Sequence, residues 1–192
     1  MSIATSRMMA LCLLLLCHGA VAADWDLAEL MRELSARSGG HARFVEKKYL
    51  AVLDQPLEQS GELSFAPGRL EKLTLLPRRE RVIIDGDALT IETEGRNKPR
   101  RLRLRNYPAL WGLVEGLRAT LSGDLETLQR FYTIKLTGPR VDWELALAPR
   151  VDEMRAVVEQ IRIRGIDANI RQIELTEAKG DRALMQIIED GS

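Results

Sequence analysis

This chain of 192 residues contains two cysteines and two histidines, and where they stand removes whole classes of chemistry. Cys12, Cys17 and His18 lie close to the N-terminus, which leaves His41 as the single imidazole of the remaining chain. A Cys/His nucleophile pair, a zinc centre of the usual ligand type and a Ser-His-Asp triad therefore lack parts or rest on one side chain. The phosphate-cradling P-loop, the G-x-G-x-x-G dinucleotide turn and the G-x-S-x-G nucleophile elbow are missing as well. No catalytic residue, metal ligand or cofactor is nominated, and a non-enzymatic protein is the expectation.

An excess of one charge is also missing. The 28 Lys and Arg balance 28 Asp and Glu, which argues against wholesale nucleic-acid binding. Nor is there a hydrophobic run long enough to span a bilayer, which takes about 20 residues. The longest candidate, MMALCLLLLC at residues 8–17, instead sits in the three-part grammar of an export leader. Arg7 supplies the positive flank, and Ala20-Val21-Ala22 offers small residues at the spacing a signal peptidase reads. Cleavage is expected after Ala22 or Ala23, giving a leader over 1–22 and a single domain over 23–192. Neither cysteine follows the small residue of a lipid-attachment box, and both depart with the leader. Subtracting Arg7 from the 28 basic residues leaves 27 against 28 acidic ones. The exported chain then has no thiol to oxidise, so a hydrophobic core must hold it, and about 170 residues suffice for one.

What is present is alternation. WDLAELMRELSARSGG opens the exported chain with Trp25, Leu27, Leu30, Met31 and Leu34 at helical spacing, closed by Gly39 and Gly40. Short two-residue periods follow: ARFVEKKYLAVLD, ELSFAP, RLEKLTLLP, RVII and ALTIET, with Asp85-Gly86-Asp87 as a hairpin turn. After a helical stretch, GDLETLQR reads as a short helix and FYTIKLTG as a strand. VDWELAL then sets Val141, Trp143, Leu145 and Leu147 on one face. VDEMRAVVEQIRIRG is read as a turn of helix followed by a strand, and NIRQIELTE and ALMQIIE as a last hairpin. These patterns predict one α+β domain with a mostly antiparallel sheet. Leu63, Phe65, Leu73, Leu75, Trp143, Leu145 and Leu147 are its candidate concave-face residues.

The helical stretch RNYPALWGLVEGLRATLSGD interrupts the strands. At about 100° per residue, Leu113, Val114, Leu117 and Leu121 fall within roughly 60° of Leu110, with Trp111 at the edge of the stripe. Gly112, Gly116, Glu115 and Ala119 take the opposite side. One reading is an ordinary helix packed over a sheet. The other is a movable cover over a cavity, since each glycine costs about 1 kcal/mol of helix propensity. A basic run precedes it: Arg96, Lys98, Arg100, Arg101 and Arg103. Such charges either guard a sheet edge or form a patch for anionic headgroups or an acidic partner.

The segment Gly61-Glu62-Leu63-Ser64-Phe65, Pro67 with Arg69-Leu70, Pro77 and Ile84-Asp85-Gly86 resembles the periplasmic outer-membrane lipoprotein carriers, the LolA-like proteins. Leu121-Ser122-Gly123-Asp124, Phe131-Tyr132, Trp143 to Pro149 and the Gly180-Asp181 turn continue the resemblance across nearly the whole exported chain. Ala66 and ALTIET, where the family often has an arginine and an aromatic-rich strand, are similar to a divergent branch associated with export of aryl-polyene or other acylated lipids. The resemblance implies a curved, incomplete antiparallel β-barrel with an N-terminal helix and a helical lid over an apolar cavity. It implies a monomeric carrier in the periplasm of a Gram-negative bacterium, with an acylated lipoprotein or lipid as cargo. An inner-membrane exporter and an outer-membrane acceptor are its implied partners. In family members an arginine beside the turn proline holds the lid; Arg69 is its nearest candidate here. The alternative is a docking or assembly module for a membrane lipid exporter.

Overall fold

The computed structural model describes residues 25–37 and 39–189, so the expected leader, with Arg7, both cysteines and the cleavage site, lies outside the described residues. Helix α1 (Leu27–Ser35) starts where Asp26 accepts the Glu29 backbone N–H at 2.8 Å, an N-cap that satisfies one orphan donor. Six strands follow: β1 (Gly40–Tyr49), β2 (Leu57–Ala66), β3 (Arg69–Leu76), β4 (Glu80–Asp85), β5 (Ala88–Thr93) and β6 (Arg100–Arg103). A single 3-10 turn (Leu104–Asn106), not anticipated from the sequence, leads into α2 (Pro108–Ser122) and α3 (Leu125–Phe131). The chain closes with β7 (Tyr132–Thr137), β8 (Trp143–Pro149), the one-turn α4 (Asp152–Arg155), β9 (Val158–Ile166), β10 (Asn169–Glu177) and β11 (Arg182–Glu189). Val141, grouped with β8 by periodicity, lies before it and is exposed.

The strands form one open antiparallel sheet of 11, in the order β6-β5-β4-β3-β2-β1-β11-β10-β9-β8-β7. Every neighbour but one is a sequence neighbour; the exception is β1 with β11, which seats the first strand beside the last, with Phe44 opposite Ile187. The edge strands β6 and β7 do not pair, so the barrel is incomplete. Residues from β4 and β9 nevertheless wall one cavity, which requires the sheet to bend around it.

Two apolar clusters flank that cavity. In the larger, Leu30, Met31 and Leu34 of α1 pack with Leu128 and Tyr132 and with Trp143, Leu145, Ile161 and Ile163 of β8 and β9. Each such side chain contributes about 1.5–3 kcal/mol on burial. In the smaller, Leu89, Leu104 and Val114 are covered by Val82, Ile84, Ile91, Leu102, Leu110 and Trp111. Helix α2 belongs to both, giving Val114 to one and Ala119 to the other. It ends at Gly123, whose φ of 66° is left-handed and whose missing Cβ would stand 2.0 Å from the Met31 carbonyl oxygen. The end of α2 is thus tied to α1. Among the described residues no helix is long and apolar enough to cross a membrane.

Candidate functional site

Strand registers decide which side chains face inward. Opposite residues share a face, so Ala42, Leu63, Lys72, Val82 and Ile91 form one inward row, and Phe65, Leu70, Ile84 and Leu89 another. From the other half of the sheet come Leu147, Ile161, Ile163, Ile173, Leu175, Met185 and Ile187. Leu110, Leu113, Val114, Leu117 and Leu121 of α2 complete the wall around a cavity of about 450 Å³.

The structure separates the candidate residues named from sequence. Leu63 and Phe65 line the cavity with the five residues of the α2 stripe. Leu73 and Leu75 do not, because Leu63 stands opposite Lys72, which puts Leu70, Lys72 and Thr74 on the inner face of β3. Leu73 is half-buried on the outer face, and Leu75 is exposed. Trp143 and Leu145 point inward but are sealed in the core under α1. The Trp143 indole N–H donates to the Asp167 carbonyl at 2.8 Å.

The two glycines of α2 carry a different meaning from the one periodicity gave them. Both are buried. A Cβ on Gly116 would stand 2.3 Å from Tyr132 Cε2, and one on Gly112 would stand 2.2 Å from Met154 Sδ. Tyr132 is itself buried; its hydroxyl donates to the Gly112 carbonyl at 3.3 Å, and burial raises its pKa well above the ordinary phenol range. The glycine side of α2 is therefore a close-packing surface rather than a solvent face. The helix is gripped from behind while its leucine stripe meets the cavity.

The tie between α2 and the hairpin turns also differs from expectation. Arg69 pairs with Asp85 at 3.2 Å and Glu71 at 3.1 Å and does not reach the helix. Arg118 of α2 does the reaching: its Nη2 donates to the Gly86 carbonyl at 2.8 Å and the Gly68 carbonyl at 3.2 Å. Glu115 orients it through an ion pair at 3.0 Å. Two backbone carbonyls at turn apices suit the guanidinium fork. Sequence pattern alone shows no sign of this, because carbonyl acceptors leave no residue-type signature.

A second polar group sits in the cavity wall. Lys72 Nζ lies 2.5 Å from Glu46 Oε2 and 4.8 Å from the centre of the Phe44 ring. Between their strands, β2 has no side chain at Gly61, the residue opposite Phe44, where a Cβ would stand 1.9 Å from the Leu73 carbonyl oxygen. Burial lowers the Lys72 ammonium's pKa below the usual lysine range, against the pull of Glu46. The basic candidates lie elsewhere. Arg100, Arg101 and Arg103 are exposed on edge strand β6, and Arg96 and Lys98 in the turn before it.

An open antiparallel sheet bent around an aliphatic cavity, with a helix across it, defines a binding fold for apolar ligands. The chain belongs to the family described as "Outer membrane lipoprotein carrier protein LolA-like", whose model matches residues 17–187. Among solved structures, a LolA superfamily protein of Nitrosomonas europaea, NE2245, is 8% identical, with 86% of this chain and 93% of that one covered and a TM-score of 0.46. A putative outer membrane lipoprotein-sorting protein domain of Vibrio parahaemolyticus is 10% identical, with 84% and 88% covered and a TM-score of 0.44. MucB in complex with MucA(peri) is 17% identical, with 87% of this chain and 56% of that one covered and a TM-score of 0.41. No curated protein sequence matches the chain.

Proposed function

We propose that this protein is a soluble periplasmic carrier that shields acyl chains of lipoproteins or lipids between the inner and outer membranes, exported by its leader over 1–22 and working as a monomeric domain over 23–192. The observation that carries this reading is the aliphatic cavity of about 450 Å³ beneath α2. The cargo in this proposal is an acyl chain of about 15 methylenes. Leaving such a chain in water costs about 12 kcal/mol at roughly 0.8 per methylene. Enclosure is therefore the physical requirement for transit, and family membership points the same way.

Loading and unloading need a surface as well as a cavity. The β1–β2 connection and the β3–β4 and β5–β6 turns lie at one end of the sheet. Val52, Leu57 and Leu76 are exposed there at 87%, 46% and 64%, beside Arg78, Arg79, Arg96, Lys98, Arg100 and Arg101. Asp54, Glu58 and Glu94 are exposed at the same end but are outnumbered by these basic groups. Exposed aliphatics with such a basic excess fit the anionic surface of a membrane or of its exporter and acceptor. This end is the docking face in the proposal.

Leu113 tests the cavity. Leu113→Asp puts a carboxylate on the wall, so a bound fatty ligand should be lost while Tm changes by only a few degrees. Equal loss of ligand and fold would favour an ordinary core helix. Charge reversal at Arg100 and Arg101 tests the docking face. It should weaken capture of the membrane partner and leave cargo bound; unchanged capture would remove these residues from the interface.

A further inference from the structure

Lys72 and Glu46 are out of place in a cavity whose task is to hold hydrocarbon. Glu46 retains 8% of its side-chain exposure and Lys72 retains 24%. Their in-register neighbours on the inner face include Leu63 and Val82 on either side of Lys72. A buried ion pair of this kind is often no more stabilising than apolar residues of similar volume, because both charges lose their water. A carrier of neutral chains gains nothing from it. Lys72 offers three donors, and Glu46 accepts from it with one oxygen, Oε2. Lys48 shares that oxygen at 3.8 Å, and Glu80 is near enough to be felt by Lys72. The lysine therefore keeps donors that its partner does not take up.

We infer that Lys72 is the anchor for an acidic headgroup, and that the cavity takes a single-chain amphiphile ending in a carboxylate, with the tail along the leucines of α2 and the acid on Lys72. The inference rests on the acyl-cavity reading above and sharpens it to a ligand class. Glu46 then holds the ammonium in place when the cavity is empty and competes with the ligand when it is full. Phe44 supports the cation from below through its ring face. Among the other basic groups on the wall, Arg37 already donates to the Ala168 carbonyl and to Asn169. His41 lies at the opposite end of β1 from Lys48. Lys72 is the cation set among the aliphatic rows.

The experiment compares two ligands that differ only at the head, palmitate and methyl palmitate, by displacement of the neutral dye N-phenyl-1-naphthylamine from the exported chain. A charge-assisted hydrogen bond predicts that palmitate binds at least about tenfold tighter than its ester. Lys72→Met should remove that preference and leave the ester's affinity within about twofold. Glu46→Gln should move palmitate the other way, toward tighter binding, because it frees the ammonium; circular dichroism checks that both variants fold. Equal affinities for acid and ester, or a Lys72→Met loss shared by both ligands, overturns the anchor and leaves the cavity reading intact. Failure of both ligands to displace the dye overturns the two together. A Glu46→Gln variant that binds palmitate no tighter refutes the competition between carboxylates.

Discussion

Replacing Gly116 with alanine tests whether α2 is a loosely held cover or a gripped one. In an unpacked helix the change is stabilising by about 1 kcal/mol, because alanine is the better helix former. Here the added methyl would stand 2.3 Å from Tyr132 Cε2 and 2.9 Å from its Cζ and hydroxyl oxygen. The ring is buried and cannot swing away without disturbing the core beside Leu128 and Met154. Overpacking of this kind costs about 1–3 kcal/mol, which offsets the propensity gain of about 1 kcal/mol, so the expected net loss ranges up to about 2 kcal/mol. Gly112→Ala makes the internal control, since its methyl meets the flexible Met154 side chain at Sδ, Cε and Cγ. Met154 is itself buried, but an unbranched thioether adapts more readily than a ring, so the expected loss is smaller than for Gly116→Ala once propensity is added. Urea unfolding with both variants, at an unchanged slope, gives the comparison. A midpoint that rises for Gly116→Ala would refute the close-packing account of this face.

Arg118→Met should lower stability by about 1–2 kcal/mol through two lost carbonyl contacts and one ion pair, and should speed release of a bound fatty ligand. Arg69→Met, which breaks an exposed ion pair with Asp85 and a part-buried one with Glu71, should cost about 1 kcal/mol or less, because Arg81 still pairs with Glu71, and leave release unchanged; the reverse ranking would return the tie to Arg69. The Tyr132 phenol, raised by burial, gives an alkaline signature. The folded state holds this proton to higher pH than the unfolded chain, so its stabilisation is complete below about pH 10 and is lost as pH rises further. Tyr132→Phe should flatten that part of the stability profile, and a difference between the two proteins that does not vary with pH would contradict the assignment.

The alternation of short segments was enough to read the α+β class and the antiparallel sheet, because a two-residue period reports a face directly. It did not report which face. Leu73 and Leu75 alternate as cleanly as Leu63, yet the pairing of Leu63 with Lys72 turns them outward; register depends on turn geometry and on the bulge beside Gly61, which periodicity does not see. The leucine stripe of α2 was legible for the same reason the strands were. Its glycines were not, since a small residue reads as weakness until the ring that fills its place is known. An i, i+4 pair of glycines in an amphipathic helix is nonetheless a signal for close approach. The family pattern pointed to an arginine tie and to Arg69 by proximity to Pro67. The structure keeps an arginine tie but runs it from α2 to the Gly68 and Gly86 carbonyls. Lys72 carries no such signal, because a lysine in an alternating strand normally faces water.

The central claim is that the space beneath α2 holds an acyl chain. Native mass spectrometry of the protein, expressed from its full sequence in a Gram-negative host and purified without detergent, tests it most directly. The account predicts a bound species carrying a long acyl chain. That species should be lost on Leu113→Asp. A protein recovered consistently empty, with added fatty ligand failing to bind, would contradict it.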